Sequence, residues 1–179
     1  SVDDKDREWV FTDKGIYLYN TKTVVSGRFD NMINIGGKIY FYSRKGTLAV
    51  FDEHSQKARM LVNNPRLIFN KVRTMGDQCL VIGTNQGIFI YDLQTGSHHL
   101  ASVQNPAQPS PEVDDIYLKN KKRVWAFGKG PGVTMLDMTT LKMKWMNETS
   151  SESHFSSNEG SVLFHEDNNH TIWLLPHSS

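Results

Sequence analysis

Few side chains in this chain stand at spacings that chemistry uses. Gly128-Lys129-Gly130-Pro131-Gly132 has the composition of a phosphate-cradling loop. Such a loop works by opening onto a helix N-terminus whose free N–H groups meet the anion, and here a β-type run follows. His165, Glu166, Asp167 and His170 are metal-ligand types, but no second His or Cys set stands at ligand spacing, so a turn is expected there and no metal. Cys79, the single cysteine, lies in an apolar run, where burial keeps a thiol protonated and inert and no partner exists for an intrachain disulfide. Nothing brings a nucleophile to a base or sets two carboxylates together. The expectation is a non-catalytic chain without a cofactor.

What remains is binding, by polar residues on turns, and the turns come from a repeat. Its clearest copy is Cys79 to Gly96, CLVIGTNQGIFIYDLQTG: an apolar run, a Gly/Asn turn, a second apolar run ending in Tyr91-Asp92, and a further turn at Thr95-Gly96. Gly15, Gly46, Gly87 and Gly132 hold the same place in four copies, at intervals of roughly 30–45 residues. Six residues before the glycine stand Trp9, Tyr40 and Val81, and seven before Gly132 stands Trp125. Trp173 takes that place in a fifth, truncated copy. After the glycine come Asn20, Asp52, Asp92 and Asp137, each followed three residues later by Thr23, Ser55, Thr95 or Thr140. That spacing has a local cause, because an Asx side chain can accept from backbone N–H groups two and three residues on and so close a turn.

Short β-type runs at this period, with no stretch carrying apolar residues at helical spacing, predict an all-β fold: a β-propeller of four-stranded antiparallel blades. The chain supplies an incomplete arc of about four and a half blades. The expected blades are 7–27, 28–62, 66–101, 113–146 and a partial fifth at 160–176. Blade one starts on its second strand, with no innermost strand before it. Since an open propeller exposes apolar faces and strand edges, a fragment of a larger ring is expected. Trp9, Trp125 and Trp173 should pack between blades rather than stack on a ligand.

At 179 residues, 38% hydrophobic and 22% charged, the composition is that of a globular domain. A net charge of +1 gives no basic face for phosphates, so nucleic acid is not an expected partner. The basic run Lys119 to Arg123 falls at a strand-to-strand turn and reads as a solvated charge cluster. If strands are numbered A to D from the axis outward, B–C turns and D–A connections emerge on one face and A–B and C–D turns on the other. The first face carries Asp13, Lys14, Arg44, Lys45, Asn85, Gln86, Lys129, His154 and His177, the candidate ligand residues, together with the long connections 102–112 and 147–158.

Aligned on the glycines, Gly76 to Gly96 resembles the repeat of the two-component-regulator propellers, roughly D-x-x-G-x-(L/I)-W-(I/V)-G-T-x-x-G-(L/I)-x-x-(Y/F)-(D/N)-x-x-T. Lys119 to Thr140 and Glu166 to Pro176 resemble it too, whereas Cys79-Leu80 replaces Leu-Trp and blades one and two lack Gly-Thr. The resemblance implies a periplasmic sensor region of a Bacteroides-type hybrid two-component histidine kinase. It further implies an oligosaccharide ligand, more propeller blades and a β-sandwich in the same protein, a homodimer, and a kinase beyond this region. Two other similarities stand beside it. Asp167 to Trp173 is similar to the Asp-box turn of sialidases, except that Ile172 separates Thr171 from Trp173. Leu136 to Trp145 is similar to the D-x-x-T-G-x-x-x-W element of quinoprotein propellers, without its glycine. A protein-interaction scaffold is the alternative expectation.

Overall fold

A computed structural model of the chain describes residues 1–19, 23–102, 112–128, 133–146, 162–168 and 172–176. These residues form strands and turns only. They divide into two compact units, Ser1–Phe69 and Asn70–Ser179.

In the first unit, β1 (Trp9–Phe11), β2 (Gly15–Leu18) and β3 (Thr23–Ser26) pair in sequence order. A second sheet follows the same order with β4 (Asn31–Ile35), β5 (Lys38–Ser43), β6 (Thr47–Asp52) and β7 (Lys57–Asn63). In the second unit β8 (Phe69–Met75), which begins at the boundary, joins β9 (Cys79–Thr84), β10 (Gly87–Asp92) and β11 (His98–Ala101). A sheet of β12 (Asp115–Asn120), β13 (Arg123–Phe127), β14 (Val133–Asp137) and β15 (Lys142–Met146) comes next, then the pair β16 (Val162–Glu166) and β17 (Ile172–Pro176). Every pairing is antiparallel between consecutive strands, the up-and-down order of propeller blades.

Burial follows position in the blade. All six residues of β9 and the first five of β10 are buried, whereas β11 exposes His98, His99 and Leu100 and buries Ala101 alone. Middle strands are covered on both faces and so read as continuous apolar runs, while outer strands meet water. Cys79, Val81, Ile88 and Ile90 of one blade share a core with Ile116, Val124 and Leu136 of the next. In the first unit Trp9 lies 5.1 Å from Phe41 and 5.0 Å from Phe51 between ring centroids, in tilted and edge-on contacts of the favourable kind.

Blade one has three strands, β1 to β3, and a short segment is attached ahead of β1: Val2 bridges Glu8, Ser1 and Trp9 exchange backbone hydrogen bonds, and the Asp3 N–H donates to the Arg7 carbonyl. The polarity of Ser1 to Asp6 concealed it, since three residues are too short to show alternation. The inner strand of the fourth blade, β12, starts at Asp115: the Val113 N–H goes to the Thr84 carbonyl of the preceding blade, and pairing with β13 begins with the Asp114 N–H on the Phe127 carbonyl.

Asp3 closes the turn that this inner segment makes. Its Oδ1 accepts from the Lys5 and Arg7 N–H groups at 2.9 and 3.0 Å. Its Oδ2 accepts from Arg7 Nε at 2.7 Å and from the buried indole of Trp9 at 2.8 Å. Asp6 holds the left-handed conformation, φ 56°. Arg7 also reaches Glu53, with Nη1 and Nη2 at 2.7 and 2.8 Å from its two oxygens, and lies 5.5 and 5.3 Å over the rings of Trp9 and Phe51. Trp125, at the matching place in blade four, is half-buried, and among the described residues its buried indole N–H has no partner. Asn120 has its Oδ1 engaged by the N–H groups of Lys122 and Arg123. The side chain of Trp173 lies outside the described residues.

The C–D turns close as the Asx spacing predicts. Asp52 Oδ1 accepts from Ser55 N–H at 2.6 Å, Asp92 from Gln94 and Thr95 at 2.9 and 2.7 Å, and Asp137 from Thr139 and Thr140 at 2.8 and 2.9 Å. The corresponding turn at Asn20 lies outside the described residues. The residue after each hydroxyl is left-handed: Gln56 at φ 55°, Gly96 at 74° and Leu141 at 55°. Leu141 thus occupies the position of the glycine missing from the quinoprotein-like element, and that element is the C–D turn common to three blades.

Two measurements check these turns. For Asp3, burial raises the pKa, but the indole and N–H donors outweigh it and bring the carboxyl down to about 2. A depressed carboxylate stabilises the fold above its unfolded value near 4, and that stability is lost as pH falls through 2. Asp3→Asn is expected to lose on the order of 2 kcal/mol at pH 7 in urea unfolding. The gap from the parent should narrow between pH 4 and 2, and an equal gap at both ends would rule the carboxylate out. Gln56→Gly, at an exposed left-handed site, is expected to gain about 1 kcal/mol and raise Tm by roughly 2–4 °C; an unchanged or lower Tm counts against strain there.

Candidate functional site

The first polar end of each blade carries the B–C turns, and a hydroxyl pins each of the three described in full. Thr12 Oγ1 accepts from Lys14 and Gly15 N–H, Ser43 Oγ from Lys45 N–H, and Thr84 Oγ1 from Gln86 N–H while donating to the Gly87 carbonyl. Blades one and two therefore keep the hydroxyl of Gly-Thr without its glycine. Outgoing chain crosses beneath: Gly27 N–H donates to the Lys14 carbonyl, Asn64 to Gly46 and Val113 to Thr84. At Gly46, with φ +70°, a Cβ would lie 2.2 Å from the Asn64 oxygen and 2.6 Å from that of Leu67, so only glycine admits this crossing.

On these turns Asp13, Lys14, Arg44 and Lys45 are exposed and Asn85 and Gln86 half-buried. Asp13 to Lys45 belong to the first unit and Asn85 and Gln86 to the second. Lys129, Gly132, His154 and His177 lie outside the described residues, as do most of the two long connections.

A cleft opens at the other end of the blades, within the second unit. Hydrogen bonds from Leu93 N–H to the Gln78 carbonyl and from Met138 N–H to Lys122 tie each C–D turn to the A–B turn of its own blade. Between these paired turns of blades three and four lies a space of about 590 Å³. Met75, Cys79, Ile90, Met138 and Leu141, buried or half-buried, form its floor. Exposed Gln78, Gln94, His99 and Lys121 stand at the rim with half-buried Asp92. Ser97 and His98 complete the rim, the latter ring stacked on Phe89 with centroids 5.4 Å apart. The Thr95 and Gln94 donors hold Asp92 below the usual carboxylate range. Burial, with the Asp92 charge beside it, pushes the Cys79 thiol up.

Of the turn residues expected to bind, the described ones, Asp13, Lys14, Arg44, Lys45, Asn85 and Gln86, are not among the residues lining this cleft. It was not legible because it depends on which turn ends meet across adjacent blades. Among the described residues no three His, Cys, Asp or Glu side chains gather as a metal site, and no nucleophile is paired with a base. The arrangement offers hydrogen bonding above an apolar floor.

No family model matches the chain, and no curated protein matches it. Solved structures do. The extracellular domain of BT3049 from B. thetaiotaomicron, assigned to a hybrid two-component system, is 14% identical over 97% of this chain and 26% of its own, with a TM-score of 0.58. That of BT4673 from the same organism is assigned to a one-component system in one structure and to a hybrid two-component system in another. The first is 19% identical over 94% of this chain and 25% of its own, TM-score 0.58. The second is 18% identical over 94% and 24%, TM-score 0.59. This likeness shows the fold, an all-β, β-propeller-type succession of four-stranded antiparallel blades. The chain spans about a quarter of the length of these domains.

The state of the cleft floor is open to measurement through Cys79. At pH 8 the native thiol is expected to react with a small aromatic disulfide at least about tenfold more slowly than in the urea-unfolded chain, because burial suppresses both thiolate and access. Equal rates would mean that the floor is open to reagent.

Proposed function

We propose that this chain is part of an extracytoplasmic sensor domain of the hybrid two-component kind, and that its ligand is an oligosaccharide. The observation that carries the reading is the match of nearly the whole chain to extracellular domains of such systems from B. thetaiotaomicron. On this reading the domain faces the periplasm, further blades and a β-sandwich complete it, and a homodimer passes the bound state to a kinase. Ligand shifts such an assembly only by binding one packing of the dimer more tightly than the other.

Thermal unfolding with a panel of plant and host oligosaccharides tests this. A ligand at a hundred times its Kd adds about 2.7 kcal/mol, a rise of several degrees for a domain of this size. One glycan, or one related set, is expected to give that rise in this chain or in a longer version of the protein. No rise in either, with both folded, would turn the assignment toward a protein-binding scaffold.

A further inference from the structure

The geometry points to the cleft between the A–B and C–D turns of blades three and four as a binding site for a neutral, polyhydroxylated ligand such as a short oligosaccharide. This rests on the sensor reading and adds a place and a ligand charge to it. Its position is the end of the blades opposite the B–C turns.

Charge sets the class. Among the described residues the lining carries one carboxylate, Asp92, and one ammonium, Lys121, so neither sign is in excess there. A phosphate or a polyanionic chain needs converging cations or free N–H groups, and a polycation needs several carboxylates. Converging metal ligands are absent among the described residues. The other rim groups, Gln78, Gln94, Ser97, His98 and His99, are amides, a hydroxyl and imidazoles, side chains that can both donate and accept. A sugar hydroxyl does the same, and vicinal hydroxyls match an amide or an imidazole with its neighbour.

The floor supplies the other half. Thioether and aliphatic groups of Met75, Met138, Ile90 and Leu141 give a polarizable apolar surface on which the C–H face of a pyranose can lie. A volume of about 590 Å³ falls in the range of small-molecule sites. The walls are also fixed. Asp92 and Asp137 close the two C–D turns, and the backbone bonds to Gln78 and Lys122 hold these turns against the A–B turns. Leu141 keeps a side chain in a left-handed position, φ 55°, where blade three has Gly96, and that side chain forms part of the floor. Such a site is largely organised before ligand arrives.

The methionines make the test local. Chain labelled with ¹³C at its methionine methyls is titrated with neutral di- to tetrasaccharides from glucan, xylan, mannan and galactan, with a galacturonate oligomer and inorganic phosphate alongside. A neutral oligosaccharide is expected to shift the Met75 and Met138 methyls saturably and to leave Met32 and Met60, in the first unit, unmoved. Gln94→Ala and Lys121→Ala, both exposed, should weaken that binding at least tenfold without lowering the unliganded Tm. A glycan that binds without moving Met75 and Met138, or that binds both variants as well as the parent, removes the site and leaves the sensor reading standing. Saturable shifts of these two methyls by phosphate or galacturonate alone would overturn the neutral class. No glycan binding to folded chain overturns the site, and with none in the longer protein it takes the sensor reading as well.

Discussion

A four-stranded sheet with apolar side chains on both faces is not stable by itself, and the need to cover those faces governs most of what this chain does. Trp9 is inaccessible because Phe41 and Phe51 of the following sheet lie against it. Val81 and Ile88 are inaccessible because Val124 and Leu136 lie over them. The burial stabilises each sheet through its neighbour by the area removed from water. It also leaves the middle strands no room for polar function. Charged and hydrogen-bonding side chains are driven to the strand ends, so whatever this protein recognises is met by turns on a packed stack.

Those turns are held by short-range bonds, and that decides how much was legible. An Asp that bonds N–H groups two and three residues on leaves its whole signature within a few letters, so the roles of Asp52, Asp92 and Asp137 could be read directly. The turn glycines were legible for the same reason. The Asp3 to Trp9 clamp is not legible, although its spacing equals that of Asp167 to Trp173, because the acidic run around Asp3 reads as solvent-exposed. The pinning hydroxyls Thr12 and Ser43 are harder to read, because each follows an aromatic residue in place of the glycine of the Gly-Thr pair. The cleft was beyond local reading, since Gln94 and Lys121 approach only when two blades stack.

Identity near one residue in six to one in seven with the solved extracellular domains is compatible with a shared fold because so few positions define a blade. A glycine where chains cross, a hydroxyl beneath one turn and a carboxylate within the next do so, provided the strands between stay apolar. The rest of the surface is not constrained by the scaffold. Similarity of this kind therefore speaks to architecture, and recognition has to be argued from side chains such as those around the cleft.

The self-closing C–D turns have one more implication. The residue after each closing Asp differs completely among blades: Glu53 serves the Arg7 clamp, Leu93 is half-buried, and Met138 floors the cleft. None of these side chains takes part in closing its turn. The tips behave like movable type in a fixed frame, so a new letter can be set in one blade while its neighbours still print as before. A chain assembled this way can acquire a different specificity by local exchange, with its folding left to the strands.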